Sequence, residues 1–178
     1  PKQAISKEEQ ADFYPGFFAQ DVSSLFGGQR LGLAPNRSME VMYYNMDWLK
    51  ELGYDAPPTT PEQFKEMACK AAATPFSGAT EGAASPIGYE LSIDTSRFAS
   101  WTFAFGGDMF DYTTNQFTLN SEAAVNAWTF MQGLFKDGCA RLVTENYGDQ
   151  TDFGNGTLLF TVGSSSGLTY YGDAVAAD

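Results

Sequence analysis

The sequence predicts an α/β fold, and three observations carry that expectation. Short runs rich in β-branched and aromatic residues, at 41–44 and 158–162, alternate with stretches whose apolar residues recur at helical spacing. The helical stretches open on capping residues, as in Thr60-Pro61-Glu62-Gln63, and stop at glycines such as Gly53. Hydrophobic residues make up 43% of the 178-residue chain, enough to bury one core of domain size.

Residues 1–30 mix a polar lead (Ser6-Lys7-Glu8-Glu9-Gln10) with the aromatics Phe13, Tyr14, Phe17 and Phe18, and close on Gly27-Gly28. They read as loop and short helix. Residues 31–34 are expected as a short strand stopped by Pro35, and 41–44 as the next strand. Asp47 is expected to lead a short helix over 48–52, with Gly53 in the C′ position that glycine favours. Thr60 at the N-cap, Pro61 at N1 and Gln63 at N3 predict a capping box. Phe64, Met67, Ala68 and Ala71 then share one face, so the helix runs over 61–73.

The small, polar residues 74–85 read as a loop, followed by a strand at Ile87-Gly88-Tyr89. Asp94 is expected to cap a helix over about 96–105, ended by Gly106-Gly107. Residues 110–118 form a hairpin with Asn115 in its turn. Asn120 or Ser121 caps a long helix reaching about Lys136, with Val125, Trp128, Phe130, Met131, Leu134 and Phe135 directed mostly inward. Asp149 is expected to cap a short helix to Phe153, and Gly154-Asn155-Gly156 turns the chain into the strand 158–162. Gly163-Ser164-Ser165-Ser166-Gly167 precedes a last helix from about Leu168. No internal repeat or linker divides residues 36–172.

Composition excludes several functions. Ten Lys+Arg against 22 Asp+Glu and no His give a net charge of −12, which opposes nucleic-acid binding. Without His there is no His-based catalytic triad and no His-bound metal. Asp108, Asp111, Glu145, Asp149 and Asp152 fit no EF-hand loop and are expected as solvated surface or helix caps. No metal or cofactor is expected. Apolar runs fall well short of the ~20 residues that cross a bilayer. Aromatics reach 15%; a core can take most of them, and the excess points to a cleft that grips flat or ring-shaped ligands. Cys69 and Cys139 allow one disulfide or two buried thiols; the count does not choose.

The order of motifs resembles one family. Met42-Tyr43-Tyr44-Asn45-Met46-Asp47-Trp48-Leu49-Lys50-Glu51-Leu52-Gly53 is similar to the YNKDLFKEAG segment of family 1 extracellular solute-binding proteins of ABC importers, the maltose-binding-protein-like group. Pro57-Pro58-Thr59-Thr60-Pro61-Glu62-Gln63-Phe64 resembles its PPKTWEEF, Ala104-Phe105-Gly106-Gly107 its A-x-G-G, and Phe153-Gly154-Asn155-Gly156 its F-x-x-G. Order and spacing agree over about residues 28–172. The resemblance implies one lobe of a two-lobed periplasmic-binding-protein-like (type II) fold, a mixed sheet flanked by helices. Residues 1–36 would be the end of the N-terminal lobe and the hinge crossover, 37–172 the C-terminal ligand-binding lobe, and 173–178 the start of a return segment. The remaining lobe elements are expected before Pro1 and after Asp178. The implied function is non-enzymatic sugar or oligosaccharide binding outside the cytoplasm of a prokaryote, in the periplasm or at the cell surface. The implied partners are the transmembrane subunits of an ABC permease. Attachment is peripheral to the membrane, with a lipid anchor where the preceding segment carries one. An oxidising compartment favours a Cys69–Cys139 disulfide.

The resemblance also nominates a site. Arg37, Ser38 and Met39 follow the inferred crossover; Arg37 can fork onto vicinal hydroxyls, a carboxylate or a phosphate, or pair with a hinge acid. Ser38 stands where maltose-binding members carry an acid. Asp94, Thr95, Ser96 and Arg97 sit at a helix start whose free N–H groups attract oxygen-rich ligands, although Asp94 is equally readable as a plain cap. Trp101 can stack on a sugar face or fill the core. Ser164, Ser165 and Ser166 offer an amide and hydroxyl nest, or a simple turn, without the lysine element of a P-loop. Ser166 replaces a stacking Trp of maltose-type members, with Tyr170 and Tyr171 placed to compensate. Arg37, Arg97 and the Ser-rich loop also suit a phosphorylated or anionic solute such as glycerol phosphate. A glycoside hydrolase would need two carboxylates roughly 5–9.5 Å apart, and no acidic pair stands out. A scaffold or adhesion fragment without a small ligand is the remaining alternative.

Overall fold

A computed structural model describes residues 5–18, 21–23, 26–34 and 36–177. Pro35, the expected strand stop, and the ends Pro1 and Asp178 lie outside the described residues. The chain divides into two units, Pro1–Ser38 and Met39–Asp178.

In the first unit Ser6 caps α1 (Lys7–Ala11) through a complete capping box, since the Ser6 hydroxyl accepts from Glu9 N and the Glu9 carboxylate accepts from Ser6 N. After α2 (Pro15–Phe18), β1 (Val22–Ser23) pairs antiparallel with β2 (Gln29–Arg30). The strand thus lies just before residues 31–34 and not over them. Gly27 and Gly28, at φ +64° and +74°, turn the chain so that pairing begins at Gln29, and Leu31 beyond it is exposed.

The second unit runs β3 (Glu40–Tyr44), α3 (Met46–Glu51), α4 (Pro61–Ala73), β4 (Ile87–Leu91), α5 (Thr95–Ala104), β5 (Phe110–Asp111), β6 (Gln116–Phe117), α6 (Glu122–Lys136), β7 (Ala140–Leu142), α7 (Gly148–Gly154), β8 (Leu158–Ser164), a 3₁₀ turn (Ser165–Gly167) and α8 (Leu168–Ala176). Its sheet has the order β3-β8-β4-β7, with β8, β4 and β7 parallel and β3 antiparallel to β8. This is the mixed α/β sheet that the sequence predicts. β7 is the element the sequence reading lacks: three residues after the turn at Gly138, too short for a period to show.

Helix starts follow local chemistry, with small corrections. Asn45, and not Asp47, caps α3 by accepting from Trp48 N at 2.9 Å. Thr60 accepts from Gln63 N at 3.3 Å, but the Gln63 side chain reaches Thr59, so the expected box is not closed on Thr60. Asp94 caps α5 and Ser121 caps α6. On α6 the buried stripe is Ala124, Ala127, Met131 and Leu134; Val125, one residue off that stripe, is exposed. Asp149 caps nothing, because α7 starts from Tyr147 at φ +62° and Asp149 is buried inside the helix.

One face of the sheet carries an aromatic core. Phe64 of α4 meets Tyr89 edge-on at 5.3 Å and Trp101 at 5.2 Å, and stacks on Phe160 at 4.9 Å. The strand and helix approach closely where β4 has Gly88, since a Cβ there would stand 2.0 Å from the Ala68 carbonyl oxygen. Gly88→Ala is therefore expected to push α4 off the sheet at a cost of about 2–3 kcal/mol, read from denaturant unfolding. A loss under about 0.5 kcal/mol would show that α4 shifts freely. Cys69 of α4 and Cys139 ahead of β7 are bonded, with Cα atoms 4.5 Å apart at a sequence separation of 70. No helix among the described residues is long and apolar enough to cross a membrane.

Candidate functional site

The carboxyl ends of the parallel strands β4, β7 and β8 open on one edge of the sheet, where ligands of open α/β sheets bind. Residues at and just beyond these ends, from Ser92 to Asp94 with Arg97, from Val143 to Tyr147 with Asp149 and Gln150, and Gly163, Ser164, Ser166 and Gly167, line a cleft of about 590 Å³ together with Tyr170 and Tyr171 of α8.

Its floor is a bonded polar cluster. The buried Asp149 accepts from Thr161 Oγ1 at 3.0 Å and from the Tyr171 hydroxyl. Tyr171 stacks on Tyr43 at 4.1 Å, and Tyr43 donates to the Ser164 carbonyl at 2.7 Å. Burial first, and the Asp149 carboxylate second, hold the Tyr171 phenol above its ordinary pKa. Gly163 keeps this floor open, since a Cβ there would meet Tyr171 Oη at 3.3 Å and the Tyr43 ring at 3.4 Å.

At the α5 end, Arg97 pairs with Glu40 of β3 and donates to Ser96 Oγ at 3.0 Å. Its buried Nε has no hydrogen-bond partner among the described residues. Asp94 accepts from Ser96 N and Oγ, both at 2.6 Å, and the Ser96 hydroxyl above all keeps the carboxyl below its ordinary range. Tyr147 (73% exposed) and Tyr170 (63% exposed) offer open ring faces. Among the lining residues Asp94, Glu145 and Asp149 face a single cation, Arg97, so the cleft is net negative.

Of the residues nominated by sequence, Asp94, Arg97, Ser164, Ser166 and Tyr170 line this cleft. Thr95 faces an adjoining apolar groove, and Ser96 braces Asp94 and Arg97. Ser165 is engaged elsewhere: its amide donates to the Met39 carbonyl at 2.7 Å and its hydroxyl accepts from Met39 N at 3.2 Å. Ser166 N is likewise taken by Ser164 Oγ, and the Ser164 and Ser166 hydroxyls bond each other at 2.8 Å, so the expected nest of free amides is replaced by a closed turn. Trp101 takes the core alternative and does not line this cleft: it is 7% exposed, packs on Phe64 and Tyr89, and donates to Tyr89 Oη at 3.0 Å. Arg37 and Ser38 belong to the first unit, where Arg37 pairs with Asp21.

Sequence reasoning missed Glu145, Asn146, Tyr147 and Gln150, which follow the unread strand β7; the only signal was the polar run after Ala140-Arg141-Leu142. It also misplaced Asp149 and Asp152, expected as caps or solvated surface. The first is buried beneath the cleft, and the second is paired with Arg141.

A polar cleft at the carboxyl edge of a mixed sheet, with a bonded floor and an aromatic rim, makes this an α/β unit with a candidate ligand site. The chain belongs to the bacterial extracellular solute-binding proteins, whose family model matches residues 5–177. It is 29% identical over 175 residues to the sn-glycerol-3-phosphate-binding periplasmic protein UgpB of Escherichia coli K12, covering 94% of this chain and 39% of that one. A probable ABC transporter-binding protein of Deinococcus radiodurans is 30% identical over 129 residues, 70% of this chain and 30% of its own. The fold is similar to UgpB of Mycobacterium tuberculosis in complex with glycerophosphocholine, at TM-score 0.74, 20% identity and coverage of 93% of this chain and 41% of that one. It is also similar to the GacH receptor of Streptomyces glaucescens, solved unliganded and with acarbose, at TM-score 0.75, 20% identity and coverage of 97% and 40%. The chain thus spans about two fifths of the length of the UgpB relatives.

Proposed function

We propose that this chain supplies one lobe of an extracytoplasmic receptor that delivers a sugar or oligosaccharide to an ABC importer. The observation that carries the reading is the cleft itself, with hydroxyl and amide side chains between the exposed rings of Tyr147 and Tyr170. Hydroxyls and amides match the hydroxyls of a saccharide, and open aromatic faces match its C–H faces. Two of the three lining carboxylates are engaged, Asp149 by Thr161 and Tyr171 and Asp94 by the start of α5, which leaves Glu145 without a paired acid and suits holding a ligand and not cleaving it. A solute docked between this lobe and a second one stabilises the closed state by its differential affinity, and the permease subunits recognise that state.

A second reading, a phosphorylated solute such as glycerol phosphate, is favoured by the likeness to UgpB and by Arg97. The lining charges oppose it, because a phosphate would meet Glu145 and Asp149 with one guanidinium that Glu40 already neutralises. Calorimetry on the intact protein against maltose, maltotriose and glycerol 3-phosphate separates the two. Saccharide binding without glycerol 3-phosphate binding is expected; the reverse overturns the sugar reading. The 178-residue segment alone is expected to bind about 100-fold more weakly, roughly 2.7 kcal/mol, and equal affinities would refute the two-lobe account.

A further inference from the structure

Beneath the cleft the sheet carries a polar row that solute binding does not explain. Strand register places Arg141 of β7, Glu90 of β4, Thr161 of β8 and Tyr43 of β3 side by side. Alternation along β4 puts Glu90 on the face opposite Tyr89 and the aromatic core. On that face α7 lowers Asp149 and Asp152, one turn apart, onto the row. Arg141 donates from Nε to Glu90 at 2.5 Å, from Nη2 to Asp152 at 2.7 Å and from Nη1 to the Ser85 carbonyl at 3.2 Å. Glu90 is 2% exposed, and its Oε2 is buried with no hydrogen-bond partner among the described residues.

One guanidinium thus serves two carboxylates, with Asp149 a third nearby on the same helix. A buried carboxylate oxygen with no donor is costly, and a second carboxylate on the same cation adds repulsion. A proton on Glu90 removes both costs, since the neutral acid becomes a donor to Asp152 and Arg141 is left to neutralise one charge. We propose that Glu90, Arg141 and Asp152 form a proton-responsive brace that seats α7 on the sheet, tight when Glu90 is protonated and loosened when it is ionised. The brace matters to the cleft above it because α7 also carries Asp149 and Gln150 to the lining.

The direction follows from the surroundings. Burial first, and then the Asp152 carboxyl, push Glu90 from its ordinary 4.5 up to about 7, with Arg141 opposing. The titratable groups around it are Arg141 from β7, Asp152 and Asp149 from α7, Tyr171 from α8 and Tyr43 from β3; β8 contributes the non-titrating Thr161. The folded protein holds the Glu90 proton more tightly than the unfolded chain does. Stability from this group is therefore fully present below about pH 4.5 and is lost as pH rises to about 7.

Amide-exchange protection of α7 in the intact, unliganded protein, compared at pH 5.5 and pH 8 after correction for intrinsic exchange, tests the brace. Protection is expected to fall by about 10-fold or more at the higher pH, and to stay level in Glu90→Gln, which mimics the neutral acid. Asp152→Asn is expected to move the wild-type transition to lower pH by removing the second carboxylate, and serves if the Glu90 variant does not fold. A pH-independent α7 in the wild type, an equal fall in Glu90→Gln or an unmoved transition in Asp152→Asn would each overturn the proposal. Because no ligand is present, these outcomes are independent of which solute the cleft takes.

Discussion

Trp101→Ala is expected to cost about 3–5 kcal/mol of stability, the range for removing a large buried aromatic. The ring is wedged between Phe64 at 5.2 Å, Tyr89 at 5.7 Å and Phe130 at 5.8 Å, so truncation leaves a cavity that helices tied to the sheet cannot close. It also removes the donor to Tyr89 Oη, on a tyrosine with no solvent exposure. Trp101→Phe separates the two contributions: it keeps most of the ring packing and loses the bond, for about 1–2 kcal/mol. The measurement is the denaturant-unfolding midpoint of the intact protein, with solute affinity alongside. A residue that stacks on ligand shows small stability loss and large affinity loss. Trp101 is expected to show the reverse, and lost binding with unchanged unfolding would return it to the cleft.

Trp101 illustrates what the sequence made legible. Features decided within one helical turn were readable: Asp94, Thr60 and Ser121 cap because their side chains reach amides two or three residues on. The same local logic misled at Asp149 and Asp152. Both look like helix-start acids, but their partners Thr161, Tyr171 and Arg141 come from other elements 11 to 22 residues away. The Ser-rich loop failed as a nest for a similar reason. Antiparallel pairing of β3 with β8 brings Met39 against Ser165, and the backbone of Met39 takes the amide that a ligand would have used. The order of motifs identified the family, since it is a property of the chain as a whole. Which side chains enter the cleft depends on sheet register and on β7, whose three residues carry no readable period. Hence Asp94, Arg97, Ser164, Ser166 and Tyr170 are nominated residues that line the cleft, while Glu145, Asn146, Tyr147 and Gln150 line it without having been nominated.

Breaking the Cys69–Cys139 disulfide is expected to cost about 4 kcal/mol, from the loop-closure entropy that a 70-residue crosslink removes from the unfolded chain. The bond joins the middle of α4 to the residue that enters β7, and β7 is an edge strand of only three residues. Cys139 is otherwise held by its amide on the Leu134 carbonyl at 2.9 Å and by Tyr89 N, which donates to the Cys139 carbonyl at 3.1 Å. The test is unfolding of the intact protein with and without reductant, beside the double variant Cys69→Ala, Cys139→Ala. Alanine is chosen because a serine hydroxyl at the buried Cys139 would add a desolvation cost of its own. Equal midpoints with and without the bond would refute the expectation. Loss should also be local: amide protection should drop at β7 and in the 143–147 loop before it drops at β3 and α8. That loop carries Glu145, Asn146 and Tyr147 into the cleft, so a crosslink on the far side of the sheet helps fix the shape of the binding edge.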